Sequence, residues 1–388
     1  MYNFIFNVDT KVLFGRGQID KLGEEIKKYS NNVLLVYGGG SIKKNGIYDA
    51  TLKTLSDNNI EVFEISGVDP NPRIETVREG VDICKKNNIG AVLAVGGGSS
   101  IDCAKVISAG TKYDGDAWDI VLNNKLITDA IPVFSVLTLS ATGSEMNGNA
   151  VISNMSQNLK LGTRSPLLIP KASVLDPEYT FSVPKHQTSA GVADIMSHTF
   201  ENYFTNEKGV YLQERFAESI LKTCIHYGPI AYNEPENYDA RANLMWASSW
   251  AINGLISAGS SNNWSVHPME HELSAFYDIT HGVGLAILTP AWMKYVLDDS
   301  TVDKFVEYGI NVWEIDSSLD KYEIANLAIE KTKNFFCNDL HIPCSLREVG
   351  IDEEHLDIMA KQAVRGSKLQ GYKQLDENDV KNIYINCL

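Results

Sequence analysis

The apolar rhythm of this chain changes about halfway along. In the first half, short unbroken apolar runs alternate with segments of helical spacing. "NVLLVYGGGS" gives way to "IKKNGIYDATLKTLSDNN", and "IGAVLAVGGGSS" gives way to "SIDCAKVISAG". A third run, "IPVFSVLTLSATGSE", ends in small and hydroxylated residues. Strands that alternate with helices imply a mostly parallel sheet covered on both faces. The opening "YNFIFNVDTKVLFG" predicts two short strands around an Asp-Thr turn. From about Ser189 onward apolar positions recur at helical spacing, and strand signals fade. In "VYLQERFAESILKTCIHY", Leu212, Phe216, Ile220 and Cys224 form an i+4 ladder beside Ala217 and Leu221. That ladder predicts a helix face turned toward a core. The Pro-containing stretch Asp176–Pro184 therefore divides an α/β domain, residues 1–183, from an all-α domain, residues 184–388.

Both apolar runs end in three glycines and a serine. Glycines let a backbone approach a ligand closely, and the free N–H groups of a following helix point at an anion. Gly96, Gly97, Gly98 and Ser99 form the stronger candidate phosphate loop, with Ser99 or Ser100 expected to cap the helix and Asp102 to face the loop. Neither loop carries the G-x-G-x-x-G fingerprint, and the acidic residue that usually accepts the ribose hydroxyls is missing. Lys43 and Lys44 follow Gly38, Gly39, Gly40 and Ser41, so nothing nearby repels a 2′-phosphate. NAD(H) and NADP(H) both remain open.

A second kind of chemistry appears in the helical half. "GVADIMSHTFENYF" places Asp194 and His198 at i, i+4, and "WSVHPMEHELSAFYDITHG" places His267 and His271 at the same spacing, with His281 close behind. Residues so spaced share one helix face about a turn apart, as two ligands of one ion require. One carboxylate and several imidazoles suit a borderline divalent ion, Fe²⁺ or Zn²⁺. Without thiolates the set does not read as a closed structural zinc site. Burying such groups without an ion would cost several kcal/mol. Spacing alone leaves open which imidazoles join Asp194. His186, His226, His341 and His355 lack partners in sequence and read as surface or core residues.

Composition narrows the classes. A chain of 388 residues holds two or three domains at roughly 150 residues each. A formal charge of −15 argues against nucleic acid and leaves any anionic cofactor dependent on local backbone dipoles. The six cysteines are scattered, with no C-x-x-C pair. They suggest no disulfide framework and a reducing compartment, the cytoplasm. No signal segment or membrane span is read. No Gly-x-Ser-x-Gly elbow appears, so a serine hydrolase has no support.

"GGGSSIDCAK", "LSATGSEMN", "ADIMSH" and "WSVHPMEHELSAFYDITHGVGLAILTP" resemble the iron-containing (group III) alcohol dehydrogenases, nearest to their bacterial NADH-dependent butanol dehydrogenase branch. The likeness covers essentially the whole chain. It implies the dehydroquinate synthase-like fold of that family: an α/β dinucleotide-binding domain and an all-α domain, with a metal in the cleft between them. It implies metal ligands Asp194, His198, His267 and His281, with His271 near the nicotinamide as proton relay. Cofactor contacts are implied at Gly39, Gly40, Asn71, Gly97, Gly98, Ser99, Asp102, Thr138, Thr142, Lys160 and Tyr179. The expected substrate is a small primary alcohol or its aldehyde, the expected assembly a homodimer joined through N-terminal strands. Some relatives carry an aspartate where this chain has Gly39 or Gly40, so cofactor choice stays open. Two rivals remain. A dehydroquinate synthase-like enzyme needs basic residues for a sugar phosphate, and "HPMEHELSAFYDITHG" supplies none. A non-catalytic sensor of NAD(H) and metal would bind both without oxidising the cofactor.

Overall fold

A computed structural model describes every residue except Asn262. The chain forms two compact units.

One unit comprises Asn7–Val183 with Pro235–Ser249. Its strands are β1 (Lys11–Phe14), β2 (Asn32–Tyr37), β3 (Glu61–Ile65), β4 (Val92–Gly96), β5 (Val133–Leu137), β6 (Asn149–Asn154), β7 (Leu159–Arg164) and β8 (Ala172–Leu175). Six of them form a sheet in the order β1-β8-β5-β4-β2-β3, while β6 and β7 make a separate antiparallel hairpin. Every pairing in the larger sheet is parallel. Successive side chains alternate between two cores. Val33, Leu35, Leu93, Val95, Phe134 and Val136 pack on one face; Leu34, Val36, Val92, Ala94 and Leu137 pack on the other. Each fully buried Val, Leu or Phe contributes about 1.5–3 kcal/mol. The strands therefore hold the sheet together, and the loops at their ends are free to be glycine-rich.

The connections diverge at one place. From β2 the chain passes through the helices Ser41–Lys44 and Ile47–Asp57 to β3 on one side. From β4 it passes through the helix Gly98–Thr111 toward β5 on the other. Such a switch point opens a crevice beyond the carboxyl ends of the strands, where doubly wound sheets bind ligands. Both glycine loops lie at it.

The other unit comprises Met1–Phe6, Pro184–Glu234 and Trp250–Leu388. Its central helix, Lys185–Tyr203, is buried on every side from Thr188 to Tyr203, as expected of an interior helix. It packs against the helices Tyr211–Asn233 and His281–Val296.

Three expectations are corrected. Residues 1–10 form no strand; only Lys11–Phe14 pairs, parallel to β8. The alternating apolar residues before it find no strand partner among the described residues, and Ile5 is 98% exposed. Leu212 and Phe216 do not face the core, at 63% and 41% exposure. The buried face of their helix runs through Gln213, Ala217, Leu221, Cys224 and Gly228. Residues 212 and 216 sit about 100° or more round the helix from that line. The cysteines are not all unpaired: Cys337 and Cys344 form a disulfide, with Cα atoms 5.5 Å apart. A π-helical turn over Phe335–Asp339 brings the chain back on itself there. Cys84, Cys103, Cys224 and Cys387 are buried thiols. No helix among the described residues is long and apolar enough to cross a membrane.

Candidate metal centre and nucleotide loops

Asp194 and His198 project from the middle of the Lys185–Tyr203 helix, His267 and His271 from the helix Val266–Tyr277, and His281 opens the helix His281–Val296. The fold converges these three helices on the Asp194 carboxylate. Its Oδ1 lies 3.5 Å from His198 Nε2 and 3.8 Å from the Nε2 atoms of both His267 and His281. These separations are too long for hydrogen bonds. Atoms about 2.1 Å from an ion at the corners of a tetrahedron lie about 3.4 Å apart, close to the separations seen here. Asp194 Oδ1 and His267 Nε2 are buried with no hydrogen-bond partner among the described residues. Orphaned buried polar atoms are costly, and a shared cation satisfies both. The N/O donor set fits a borderline divalent ion.

His198 stacks on His267, ring centroids 4.7 Å apart and planes 17° from parallel. Trp264 closes over both rings, its centroid 4.6 Å from His267 and 5.6 Å from His198. The indole thus belongs beside the imidazoles, whereas Trp118 packs in the sheet core and donates to Gln157. Asp194, His267 and His281 form one group of close ligand atoms; Glu270, His271 and His281 form an overlapping second one. His271 stands edge-on to His267 with centroids 6.4 Å apart, and 5.7 Å from His281. His271 and His281 are partly exposed while Asp194, His198 and His267 are buried, so solvent reaches the cluster from the His271–His281 side.

Charge follows from the packing. Burial alone would raise the Asp194 pKa, but His198, His267 and His281 facing it hold it at about 2. Burial pushes His198 down to about 4. Burial also works against a charged His267, yet Asp194 and Glu201 lift it to about 9. The centre thus favours positive charge beside Asp194. Two carboxylates not anticipated from sequence stand behind the imidazoles: Glu201 lies 3.3 Å from His267 Nδ1, and Glu270 is hydrogen-bonded to His281 Nδ1. Glu201 follows His198 at i+3, a signal present in "DIMSHTFE", but its partner comes from another helix.

The candidate nucleotide residues gather at strand ends. Gly39 and Gly40 follow β2, with Gly40 at φ 92° preceding the next helix. Asn71 is buried in the loop after β3. Gly97 precedes the helix Gly98–Thr111, and no side chain caps it. Neither Ser99 nor Ser100 therefore acts as the cap. The Ser99 hydroxyl donates instead to the Pro70 carbonyl. A Cβ at Gly98 would stand 2.3 Å from Thr142 Oγ1, so that glycine admits the loop after β5. The Thr138 N–H donates to the Gly96 carbonyl at 3.0 Å, joining the ends of β5 and β4. Asp102 accepts from Ser144 Oγ at 2.6 Å and from the Val151 N–H at 2.9 Å. Lys160 is buried on β7. Tyr179 lies in the turn after β8, and burial, with Asp176 next, raises its hydroxyl to about 12. A buried lysine that the sequence reading passed over, Lys105, binds Ser144 Oγ at 2.7 Å and the Asn149 carbonyl at 2.7 Å, fastening this loop from behind.

Known proteins share the pattern. Residues 9–177 match the family described as iron-containing alcohol dehydrogenase, and residues 188–388 match its C-terminal part. The NADH-dependent butanol dehydrogenase A of Clostridium acetobutylicum is 60% identical over 386 residues, covering 99% of both chains. The NADPH-dependent aldehyde reductase YqhD of Escherichia coli is 41% identical, covering 97% of this chain and 96% of its own. The crystal structure of NADH-dependent butanol dehydrogenase A from Thermotoga maritima superposes with a TM-score of 0.95 at 41% identity, covering 100% of this chain and 99% of that one. Two domain matches spanning nearly the full length, with relatives this similar, establish that the chain belongs to the iron-containing alcohol dehydrogenase family.

Proposed function

We propose that this protein is a metal-dependent, NAD(P)(H)-linked alcohol dehydrogenase that interconverts small primary alcohols and aldehydes, butanol and butyraldehyde among them. Asp194, His198, His267 and His281 hold one divalent ion, Fe²⁺ foremost and Zn²⁺ the alternative. Residues 1–183 serve the nucleotide, through the glycine loops at the switch point, and residues 184–388 the metal. The enzyme works in the cytoplasm as a homodimer, without nucleic-acid or membrane partners. The observation that carries the reading is the buried, unpartnered Asp194 Oδ1 at the convergence of three imidazole Nε2 atoms.

A divalent ion held there supplies Lewis-acid polarisation of the substrate oxygen. The residues do the rest. Asp194 stays ionised and His198 neutral, so these two side chains present one negative charge and one imidazole lone pair to the ion. Trp264 covers His198 and His267 and keeps water from that side. His271, on the partly exposed side, carries the proton that enters as an aldehyde is reduced and leaves as an alcohol is oxidised. A nicotinamide cofactor held by the glycine loops would supply or take up the hydride exchanged at the carbinol carbon.

Oxidation of NADH and of NADPH with C2 to C6 aldehydes, on chelator-stripped protein resupplied with Fe²⁺ or Zn²⁺, tests the proposal. Aldehyde-dependent turnover that vanishes on stripping and returns with metal supports it. Tight cofactor binding with no aldehyde-dependent oxidation would return the case to a sensor.

A further inference from the structure

Glu201 lies on the same helix as Asp194 and His198, seven residues after the first and three after the second, so all three share one face. Its carboxylate is buried and crosses to the start of the Val266–Tyr277 helix. Oε2 accepts from the Ser265 N–H at 2.9 Å; Oε1 accepts from the N–H groups of Val266 at 2.7 Å and His267 at 2.9 Å. These amides are orphan donors of a helix N-terminus, where a carboxylate is favoured. Capping alone would need nothing more. Yet Oε1 also lies 3.3 Å from His267 Nδ1. A carboxylate only accepts, so a proton sits on Nδ1, and an ion that displaces any second proton would meet the Nε2 lone pair on the side of Asp194, 3.8 Å away.

We propose that Glu201 is a positioning residue. It sets the register between the helix bearing Asp194 and His198 and the helix bearing His267, and it holds His267 in the Nδ1–H tautomer so that Nε2 meets the ion. The inference rests on the metal assignment above. His198 differs: its Nδ1 has no partner among the described residues, so the ring is held by stacking rather than by a carboxylate.

Glu201→Gln separates the two roles. An amide offers one acceptor oxygen and two donor hydrogens, so it cannot accept on both sides. The test is Co²⁺ titration of chelator-stripped wild type and Glu201→Gln against a competing chelator, with d–d spectra recorded. Loss of an outer partner of a ligand typically weakens metal binding 10- to 100-fold. The expected result is that loss, with an altered Co²⁺ spectrum and an unchanged far-ultraviolet circular dichroism spectrum. Equal affinity and an unchanged spectrum would leave Glu201 a helix cap and overturn the proposal. Should the variant not fold, long-range ¹H–¹⁵N spectra of Zn²⁺-loaded wild type decide: His267 with its proton on Nδ1 supports the assignment, and a proton on Nε2 refutes it. Wild type that takes up neither ion would instead overturn the metal reading itself.

Discussion

Gly282 lets the helix that begins with His281 lie directly on the backbone at Ala190: a Cβ at 282 would stand 2.0 Å from the Ala190 carbonyl oxygen. Ala190 is one turn before Asp194, so this contact sets how near His281 comes to the carboxylate. Gly284 plays a companion part, since a Cβ there would lie 2.8 Å from Glu270 Cγ.

Gly282→Ala should therefore displace the His281 helix. Overpacking of this kind costs about 1–3 kcal/mol, and metal affinity should fall at least about tenfold because an outward shift moves one ligand away. Thermal unfolding and metal stoichiometry of purified protein measure both. An alanine variant with wild-type metal content would show that the helix yields without moving His281.

His271→Ala should lower turnover by about 100-fold or more, the usual scale of a lost proton-transfer group, while metal content stays at the wild-type level. Loss of metal would mean that the group Glu270, His271 and His281 is the ion's site and that His271 is a ligand.

Gly39→Asp tests cofactor choice. No heavy atom lies within 4 Å of a Cβ at 39, and the backbone there is not left-handed. The carboxylate is thus tolerated and would repel a 2′-phosphate. kcat/KM with NADPH should drop at least about tenfold relative to NADH, corresponding to about 1.4 kcal/mol. The same change at Gly40, whose φ is 92°, adds backbone strain and should lower stability as well. An unchanged NADPH-to-NADH ratio in Gly39→Asp would place the adenosine ribose elsewhere.

Glu272 makes stability depend on pH. Burial raises its carboxyl from 4.5 to about 7, with Glu270 adding to the rise and Arg365 opposing it; Oε2 has no hydrogen-bond partner among the described residues. The folded state keeps this proton between pH 4.5 and about 7, whereas the unfolded chain gives it up. Stability is therefore fullest below the unfolded value and is lost as pH rises through that window, by up to about 3 kcal/mol. Glu272→Gln should unfold at a higher temperature than wild type at pH 8 and close to it at pH 4.5. Parallel curves for the two proteins across that range would remove Glu272 as the cause.

Some of this protein was legible in its sequence because the information is local. Continuous apolar runs identify strands buried on both faces, and their alternation with helices gives the parallel sheet. The i, i+4 pairing of Asp194 with His198 follows from helix geometry alone. Other features depend on what lies opposite. Leu212 and Phe216 satisfy the helical period yet face solvent, because the neighbouring helices meet the face of Ala217 and Leu221 instead. Tyr2, Phe4 and Phe6 alternate like a strand but find no strand to pair with among the described residues. Which imidazoles converge on Asp194, and which carboxylates brace them, was decided only when three helices packed together. Periodicity fixes the direction of a side chain from its own axis, whereas distances of 3.5 to 3.8 Å between groups on different helices arise from tertiary packing, down to the missing Cβ of Gly282.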